Sequence, residues 1–262
     1  MKIKLWNDSI PYYNSEFDTP NSMTTFLLET DRKLPCVVVL PGGGYRMRAD
    51  HEGAPIAEFF NGRGMHAVVV DYRVEPNRFP TGLCDAQRAV RIIRANAEAW
   101  GVDTDRIVIL GFSAGGHLAA STMLYSDQLP DGWERDSIDR LSCKPNGGVL
   151  CYPVISVEEE FGHIGSGKRL LGEDVYAEKC KDFSLQSKVT AETPKAFLWH
   201  TSDDASVNVK NSLTFGAALR ENGIPFEMHI YPAGSHGLGL ALDKPDIKAW
   251  ADLAADWIER NI

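Results

Sequence analysis

The sequence predicts an α/β fold built around a mostly parallel sheet. Short segments rich in Val and Ile alternate along the chain with longer segments whose apolar residues recur every three or four positions. Several of the short segments are apolar throughout, which is typical of parallel strands covered by helices on both faces. Strands and helices that alternate in this way are expected to be joined by right-handed crossovers.

Short apolar segments are the predicted strands. Most of them are dominated by β-branched or aromatic residues, which favour extended backbone. In chain order they cover residues 24–28, 36–40, 67–70, 107–110, 149–151, 196–199 and 226–230.

Helical patterns lie between these strands. From residue 86 to residue 97, apolar side chains fall on one face of a helix. A second pattern, over residues 213–220, leads to Asn222-Gly223, where glycine stands at a position that commonly ends a helix. The last helix is expected over residues 245–260, because Pro245 suits a first helical turn and the apolar residues that follow form one stripe.

Composition and charge exclude several classes of protein. The chain has 262 residues and a hydrophobic content of 44%, enough to build a core, so it is not an intrinsically disordered chain. The formal net charge of −9 argues against a nucleic-acid partner, because DNA and RNA binders usually present a basic face. The same charge favours a neutral or weakly polar small-molecule substrate.

Targeting and redox features predict a cytoplasmic protein without a membrane partner. No segment approaches the roughly 18 apolar residues of a membrane span. The amino-terminal residues have no apolar stretch of the kind found in secretory signals. The five cysteines show no C-x-x-C spacing, so we expect neither a zinc nor a redox site and take a reducing compartment as the default.

The strongest chemical signal is the pentapeptide Gly111-Phe112-Ser113-Ala114-Gly115. It follows a predicted strand and precedes a helical pattern over residues 116–125, which is the strand–turn–helix context of a nucleophile elbow. The glycines let the strand and the helix approach closely, while the turn holds the serine in a strained conformation. The helix amino terminus brings N–H groups to the serine oxygen. We therefore predict that Ser113 is a catalytic nucleophile.

A serine nucleophile needs a base, and His236 is the predicted one. It lies in a glycine-containing loop after the strand at 226–230, from which an imidazole can reach over the end of the sheet. His229 lies within a strand pattern, which favours a packing role. His117 lies on the helix that follows the elbow and His66 precedes a strand, so both are predicted to be structural. His200 closes a strand and suits an orienting role better than that of the base.

The third member of the triad is predicted to be Asp204, with Asp203 as the alternative. In this topology the acid follows a strand between the serine and the histidine along the chain. The strand at 196–199 opens into a turn that holds both aspartates. Asp204 has the usual spacing from the strand end and would orient the imidazole of His236. The other assignment for Asp203 is a carboxylate that stabilises a turn or caps a helix.

The motif Pro41-Gly42-Gly43-Gly44-Tyr45 is the predicted oxyanion loop. It follows the strand at 36–40, where glycines allow backbone N–H groups to point into a site without a clash from Cβ. We assign Gly43 or Gly44, together with the N–H of Ala114, as donors to a developing oxyanion. A phosphate-binding loop would continue with Gly-Lys-Ser or Gly-Lys-Thr, which does not follow here.

With these residues in place, the sequence resembles the α/β-hydrolase superfamily. It is most similar to small acetyl esterases, including acetylxylan esterases and the bifunctional feruloyl/acetyl-xylan esterase-like group. The Pro-Gly-Gly-Gly form of the oxyanion loop is similar to that branch, whereas Asn208 stands where proline is common. The resemblance rests on Pro41-Gly42-Gly43-Gly44-Tyr45, His51-Glu52-Gly53, Asp71-Tyr72-Arg73, Trp100-Gly101-Val102-Asp103, and the segments 111–117, 198–204 and 234–237.

The resemblance implies an α/β-hydrolase fold and a triad of Ser113, Asp204 and His236. It also implies an esterase that removes short acyl groups, above all acetyl, from carbohydrates such as acetylated xylo-oligosaccharides, without a metal or an organic cofactor. Three other functions stay open: an arylformamidase-like amide hydrolase, a peptidase-like hydrolase and a non-catalytic binding protein with the same fold.

Four residues beside predicted strand ends are candidates for binding the substrate. Aromatic side chains near the mouth of a pocket suit stacking on sugar rings, and small-molecule pockets combine such surfaces with a few polar groups. These candidates are Tyr45, Arg46, Tyr152 and Pro153.

We expect one domain over residues 1–262, because the oxyanion loop and the triad candidates are spread over most of the chain. A polar stretch with several glycines, residues 156–193, interrupts the alternation of strands and helices. It is either a solvated excursion between two strands or a cap over the site, since long connections on a rigid scaffold are often functional.

Overall fold

The computed structural model describes residues 1–7, 9–16, 21–126, 135–158 and 160–262. These residues form an eight-stranded sheet with helices packed on both faces. The strands are β1 (Lys2–Lys4), β2 (Ser22–Phe26), β3 (Leu34–Leu40), β4 (His66–Asp71), β5 (Val102–Phe112), β6 (Gly147–Cys151), β7 (Lys195–Thr201) and β8 (Phe226–Tyr231). The helices are α1 (Ala54–Gly62), α2 (Thr81–Ala95), α3 (Ala97–Trp100), α4 (Ser113–Leu124), α5 (Ile164–Leu171), α6 (Glu173–Lys179), α7 (Lys210–Glu221) and α8 (Trp250–Asn261).

The sheet is parallel except at one side. Its strand order is β1-β2-β4-β3-β5-β6-β7-β8. Strand β2 runs antiparallel to both of its neighbours, and the pairs from β4 across to β8 are all parallel. This topology confirms the predicted α/β-hydrolase fold with a mostly parallel sheet and helices on both faces.

Strand β3 shows why the central strands are apolar throughout. Val37 and Val39 are fully buried on the face covered by α1 and α8, whereas Val38 and Leu40 are fully buried on the face covered by α2 and α4. Successive side chains of a strand point to opposite faces, so a strand covered on both faces has no position for a polar side chain.

The loops that follow β3, β5, β7 and β8 emerge at one edge of the sheet. These strands are parallel, so their carboxyl ends lie on the same side. In open α/β sheets the ligand site lies beyond the carboxyl ends of the strands. The four loops carry the predicted oxyanion loop, Ser113, Asp204 and His236, so the fold brings all the predicted reacting groups to this edge.

The last helix and the first strand differ from the prediction. Helix α8 begins at Trp250 rather than at Pro245, because residues 244–250 form turns in which Ile247 and Trp250 donate to carbonyls three residues back. Strand β1 is missing from the prediction because its three residues include two lysines and offer no apolar run.

The stretch at 156–193 contains more helical structure than its polar, glycine-containing sequence indicates. It contains α5, α6 and two short 3₁₀ helices, Cys180–Phe183 and Leu185–Lys188. Leu170, Tyr176 and Leu185 from this stretch are buried in the core that also contains residues of α2 and α4. The stretch is therefore packed on the sheet rather than extended into solvent.

Candidate active site

Ser113 occupies the sharp turn between β5 and α4. Its φ of 52° lies in the left-handed region that residues with a side chain rarely adopt. A methyl group on Gly111 would overlap the carbonyl oxygen of Gly115, and one on Gly115 would overlap the carbonyl oxygen of Leu40. Glycine is therefore needed on both sides of the serine, because strand, turn and helix approach so closely.

The first turn of α4 gives the serine a polar environment. The helix begins at Ser113, so its first N–H groups, including that of Ala114, have no carbonyl partner within the helix. The aligned peptide dipoles add a partial positive charge at the same end. A negative charge that develops beside Ser113 is therefore stabilised by the backbone of α4.

His236 connects Ser113 to Asp204. Its Nε2 lies 2.8 Å from Ser113 Oγ, and its Nδ1 lies 2.6 Å from Asp204 Oδ2. A carboxylate only accepts hydrogen bonds, so Nδ1 carries the proton that Asp204 accepts and Nε2 is left to accept from the serine hydroxyl. The structure thus brings the three predicted triad residues together in one hydrogen-bonded series.

Asp204, and not Asp203, contacts the imidazole. The Asp204 side chain is fully buried, and its Oδ1 accepts from the N–H groups of Ser206 and Val207 at 2.8 and 2.9 Å. The neighbouring Asp203 turns its Oδ1 to the N–H of Gly234 at 2.8 Å. Asp203 therefore stabilises the approach to the histidine loop, which is the turn-stabilising role left open by the sequence.

The environment of Asp204 keeps the carboxylate charged. Burial alone would raise its pKa, but hydrogen bonds from His200, His236 and Val207 outweigh that effect and lower the pKa. His200 Nε2 lies 3.4 Å from Asp204 Oδ2 and donates to the carbonyl of Val207 at 2.9 Å. His200 is thus a neighbour of the acid rather than of Ser113, as expected for an orienting residue.

The glycine loop after β3 adopts backbone conformations that require glycine. Gly43 has a φ of 131° and Gly44 a φ of 63°, and a methyl group on Gly43 would overlap the carbonyl oxygen of Met47. The N–H of Gly42 donates to Glu52 Oε2 at 2.8 Å. Within the described part of the chain, the N–H groups of Gly43 and Gly44 have no hydrogen-bond acceptor.

The side chain of Tyr45 is buried, whereas the sequence analysis predicts that it faces the mouth of a pocket. Only 3% of its surface is exposed, and its hydroxyl bonds to His117 Nδ1 at 2.9 Å. A φ of 59° turns the side chain inward from the loop, where its ring edge packs against Tyr72. Its ring is therefore not a stacking surface for a sugar at the mouth of a pocket.

Tyr152 and Pro153 also have packing roles. Tyr152 is 2% exposed, and its ring contacts the His236 ring edge-on at a centroid distance of 4.9 Å. Pro153 packs against α4 at Gly116, where a methyl group would approach the proline Cβ to 2.8 Å. Both residues are buried, so neither offers an exposed surface to a substrate.

Arg46 is the substrate-binding candidate that reaches open space. It is exposed and borders a cleft of about 740 Å³ that is also lined by Gly165 and Arg169. The Nη1 group of Arg169 donates to the carbonyl of Gly44 at 3.3 Å. The cleft therefore adjoins the glycine loop, and α5 forms its opposite wall.

His163, at the start of α5, is a neighbour of the site that the sequence analysis did not single out. Burial lowers its pKa, and the electrostatic effects of the nearby His236 and Arg169 lower it further, while Asp204 opposes them. Its Nδ1 accepts from the N–H of Ser166 at 3.1 Å, so the neutral ring carries its proton on Nε2. Only the fold could reveal this neighbour, because α5 is distant from the triad in sequence.

Glu52 is a second residue that the sequence analysis left without a role. It is 2% exposed, and its carboxylate contacts both the glycine loop and Tyr152. The motif His51-Glu52-Gly53 contributes to the resemblance described above, but the sequence gives no sign that its glutamate is buried.

The described residues contain neither a metal-binding cluster nor a membrane-spanning helix. No group of three or more His, Cys, Asp or Glu side chains there is arranged to hold a metal ion. Among the same residues, no helix has both the length and the apolar character needed to cross a bilayer.

The sequence pattern of the BD-FAE family matches residues 26–219 of the chain. Endo-1,4-beta-xylanase B of Butyrivibrio fibrisolvens is 36% identical over 244 residues, which are 92% of this chain and 38% of that protein. The acetylxylan esterase of Xylanibacter ruminicola is 32% identical over 208 residues, which are 78% of this chain and 41% of that protein. The chain thus spans about two-fifths of the length of these two relatives.

A solved structure matches nearly the whole chain. The acetyl ester-xyloside bifunctional hydrolase from Caldicellulosiruptor lactoaceticus is 44% identical and superposes with a TM-score of 0.94. The match covers 99% of this chain and 96% of that one. The chain therefore belongs to the BD-FAE family, in the acetylxylan-esterase-like group of α/β hydrolases.

Proposed function

We propose that this chain removes acetyl groups from carbohydrates, with acetylated xylo-oligosaccharides as its substrates and Ser113 as its nucleophile. The observation that carries the proposal is the hydrogen-bonded series Ser113–His236–Asp204 at the carboxyl edge of the sheet. A serine hydroxyl becomes an effective nucleophile when an adjacent base takes its proton and a third group orients that base. The names of the relatives, an acetylxylan esterase and an acetyl ester-xyloside hydrolase, support the substrate class.

Acylation begins with proton transfer from Ser113 Oγ to His236 Nε2 while Oγ attacks the ester carbonyl carbon. The carbonyl π electrons move to oxygen and form a tetrahedral oxyanion. Asp204 accepts a hydrogen bond from the Nδ1–H of the imidazolium and stabilises its charge, while the proton stays on Nδ1. Collapse of the intermediate expels the sugar oxygen, which takes the proton from Nε2, and leaves an acetyl group on Ser113.

Deacylation repeats the same steps with water. His236 takes a proton from the water as its oxygen attacks the acetyl carbon, and the second tetrahedral intermediate releases acetate. Ser113 then recovers its proton from His236. The chain, the ester and water supply every proton and electron pair, so the scheme needs neither a metal nor an organic cofactor.

The oxyanion is assigned to backbone donors. Gly43 or Gly44 and the N–H of Ala114 are the proposed donors, and α4 adds the positive end of its dipole. Donors of this kind each lower the barrier by roughly 3 kcal/mol in comparable sites. The absence of a Cβ on the glycines lets the ester oxygen approach the backbone closely.

The cleft next to the glycine loop is the proposed sugar site. Arg46 borders the cleft, and the guanidinium of Arg169 lies between the cleft and Gly44. Guanidinium groups donate several hydrogen bonds in a fixed geometry, which suits the hydroxyls of a sugar. We propose that residues 156–193, which contribute the α5 wall of this cleft, form the cap of a single domain.

The partner we propose is therefore a small acylated sugar and neither a nucleic acid nor a membrane. A cytoplasmic location stays a prediction, supported by the finding that all five cysteines are free thiols.

Rates on a series of 4-nitrophenyl esters test the acyl specificity. We expect hydrolysis of the acetate to be at least tenfold faster than that of the butyrate, with the octanoate slower still, because the pocket is assigned to acetyl. Faster turnover of the octanoate would contradict an acetyl pocket. Preferential hydrolysis of N-formylkynurenine over every ester would instead identify an arylformamidase.

A further inference from the structure

Glu52 is a buried acid beside the candidate active site. Its side chain is 3% exposed and lies in the connection between β3 and α1. A carboxylate is rarely buried unless its oxygens are bonded, because removal from water is costly. Both oxygens of Glu52 are bonded, and their two partners belong to different parts of the site.

The first partner is the oxyanion loop. The N–H of Gly42 donates to Glu52 Oε2 at 2.8 Å. A methyl group on Gly42 would lie 2.7 Å from the same oxygen, so the backbone of the oxyanion loop is in close contact with the carboxylate. Gly42 immediately precedes Gly43 and Gly44, so Glu52 fixes the start of the segment that is assigned to the oxyanion.

The second partner is Tyr152, which contacts the loop of the catalytic histidine. The Tyr152 hydroxyl donates to Glu52 Oε1 at 2.6 Å and accepts from the N–H of Gly239 at 2.9 Å. Burial raises the pKa of Tyr152, and the adjacent Glu52 carboxylate raises it further, so the hydroxyl retains the proton that it donates. The ring of the same tyrosine packs against His236.

A parallel contact joins the same two segments. His51 Nε2 lies 2.9 Å from the carbonyl oxygen of Gly237 and therefore donates to it. Residues 51–52 thus reach the histidine loop at two places, directly at Gly237 and through Tyr152 at Gly239.

We infer that Glu52 is a positioning residue that holds the oxyanion loop and the loop of His236 in a fixed relation. This inference rests on the proposed function, since the two loops carry the oxyanion donors and the base of that reaction. Glu52 acts through Gly42 and Tyr152 and not on the reacting atoms. Both of its neighbours donate, so its two oxygens serve as acceptors, as a carboxylate does.

The test is steady-state hydrolysis of 4-nitrophenyl acetate by Glu52→Gln. Glutamine keeps one acceptor oxygen for the N–H of Gly42 but places an amide donor at Tyr152, so the bond that the tyrosine hydroxyl donates to the carboxylate is lost. We expect kcat to fall by about 30-fold and KM to change less than about threefold, because misplaced reacting groups slow the chemical step more than they weaken binding.

Tyr152→Phe is the companion variant. It keeps the ring on His236 and deletes the hydroxyl between Glu52 and Gly239. We expect kcat to fall by about tenfold with the same small change in KM. The double variant should have a kcat within about threefold of that of Glu52→Gln alone. Both changes break the same link, so their effects are not additive.

Asp85→Asn is the matched control. Asp85 is also a fully buried acid, but it bonds Arg73 and Trp6 instead of the site loops. We expect its kcat to stay within about twofold of wild type at a temperature where the variant is folded, even if its Tm falls. If loss of stability alone lowered kcat, Asp85→Asn and Glu52→Gln would show the same drop.

The inference is overturned if folded Glu52→Gln, or Tyr152→Phe where Glu52→Gln does not fold, has a kcat within twofold of wild type. It is also overturned if the two single effects multiply in the double variant. The proposed function fails separately, when Ser113→Ala hydrolyses the ester as fast as wild type.

Discussion

His236 Nε2 lies 2.8 Å from Ser113 Oγ, although 123 positions separate the two residues in the sequence. Ser113 follows β5 and His236 follows β8, and the two strands are separated in the sheet by β6 and β7. Their distance is therefore fixed by the register of three parallel pairs, such as Phe112 opposite Cys151. A slip of one residue in any pair would move one partner by about 3.3 Å and break the contact.

Ser113→Gly should be more stable than Ser113→Ala. Both changes delete the hydroxyl and its bond to His236, but only glycine adopts a φ of 52° without a clash from Cβ. We expect the free energy of unfolding of the glycine variant to be about 1 kcal/mol higher. Urea denaturation of the two variants measures this difference, and equal stabilities would mean that the serine turn is not strained.

Asp204→Asn should lower kcat far more than Asp203→Asn. An asparagine at 204 no longer holds the proton on His236 Nδ1, so the wrong tautomer faces Ser113, and we expect a loss of about 10⁴-fold. At position 203 an asparagine oxygen can still accept from the N–H of Gly234, and we expect kcat to change less than about threefold. Esterase assays of the two purified variants compare them directly. Equal losses of kcat would contradict the assignment of Asp204, rather than Asp203, as the acid.

His117 should make the protein less stable in mild acid. Burial lowers its pKa from 6.5 to about 4, and the bond to the Phe183 carbonyl opposes this only in part. Between these two pH values the unfolded chain binds a proton that the native protein does not, so stability falls as the pH falls. The slope is about 1.4 kcal/mol per pH unit, and the total is roughly 3 kcal/mol.

His117→Gln isolates that contribution. Glutamine does not titrate in this range, so the free energy of unfolding should fall less steeply from pH 6.5 to pH 4 than it does in wild type. Urea denaturation at several pH values gives the two slopes, and a lower stability of the variant at pH 7 does not affect their comparison. Parallel slopes would show that His117 binds its proton equally well in the native and the unfolded protein, which would contradict the prediction.

Arg46→Ala should weaken binding of the sugar but not of a small aryl ester. Arg46 borders the proposed sugar cleft and is not among the residues assigned to the reacting atoms. We expect KM for acetylated xylo-oligosaccharides to rise about fivefold, as for the loss of one hydrogen bond worth about 1 kcal/mol, while KM for 4-nitrophenyl acetate stays the same. Arg220→Ala, an exposed arginine of α7, is the control. An equal rise in KM for both substrates would argue against a sugar site at Arg46.

The nucleophile turn and the fold class were predictable because their signals are local. Glycines two positions before and after Ser113, between a strand and a helix, indicate that the backbones of the strand and the helix approach closely. Any fold with this turn needs that approach. The choice between Asp203 and Asp204 is not local, because adjacent side chains on a turn point in different directions and only the sheet decides which one meets His236.

The substrate-binding candidates show a second limit of the sequence. Position after a strand end places Tyr45 and Tyr152 near the site, but φ values of 59° and 35° turn their side chains into the protein. The burial of Glu52 depends on contacts with residues far along the chain, such as Tyr152, and leaves no local pattern. Sequence therefore predicted the hydrogen-bonded series Ser113–His236–Asp204 better than the contacts of the residues that surround it.

Acetate release from acetylated xylo-oligosaccharides by wild type and by Ser113→Ala tests the central claim most directly. Removal of the nucleophile of a triad leaves only the residual acceleration from binding and the oxyanion donors. We predict that wild type releases acetate and that the variant, folded to the same extent, does so at least about 10³-fold more slowly. Wild-type protein that releases no acetate, or a variant that keeps most of the activity, would contradict the account.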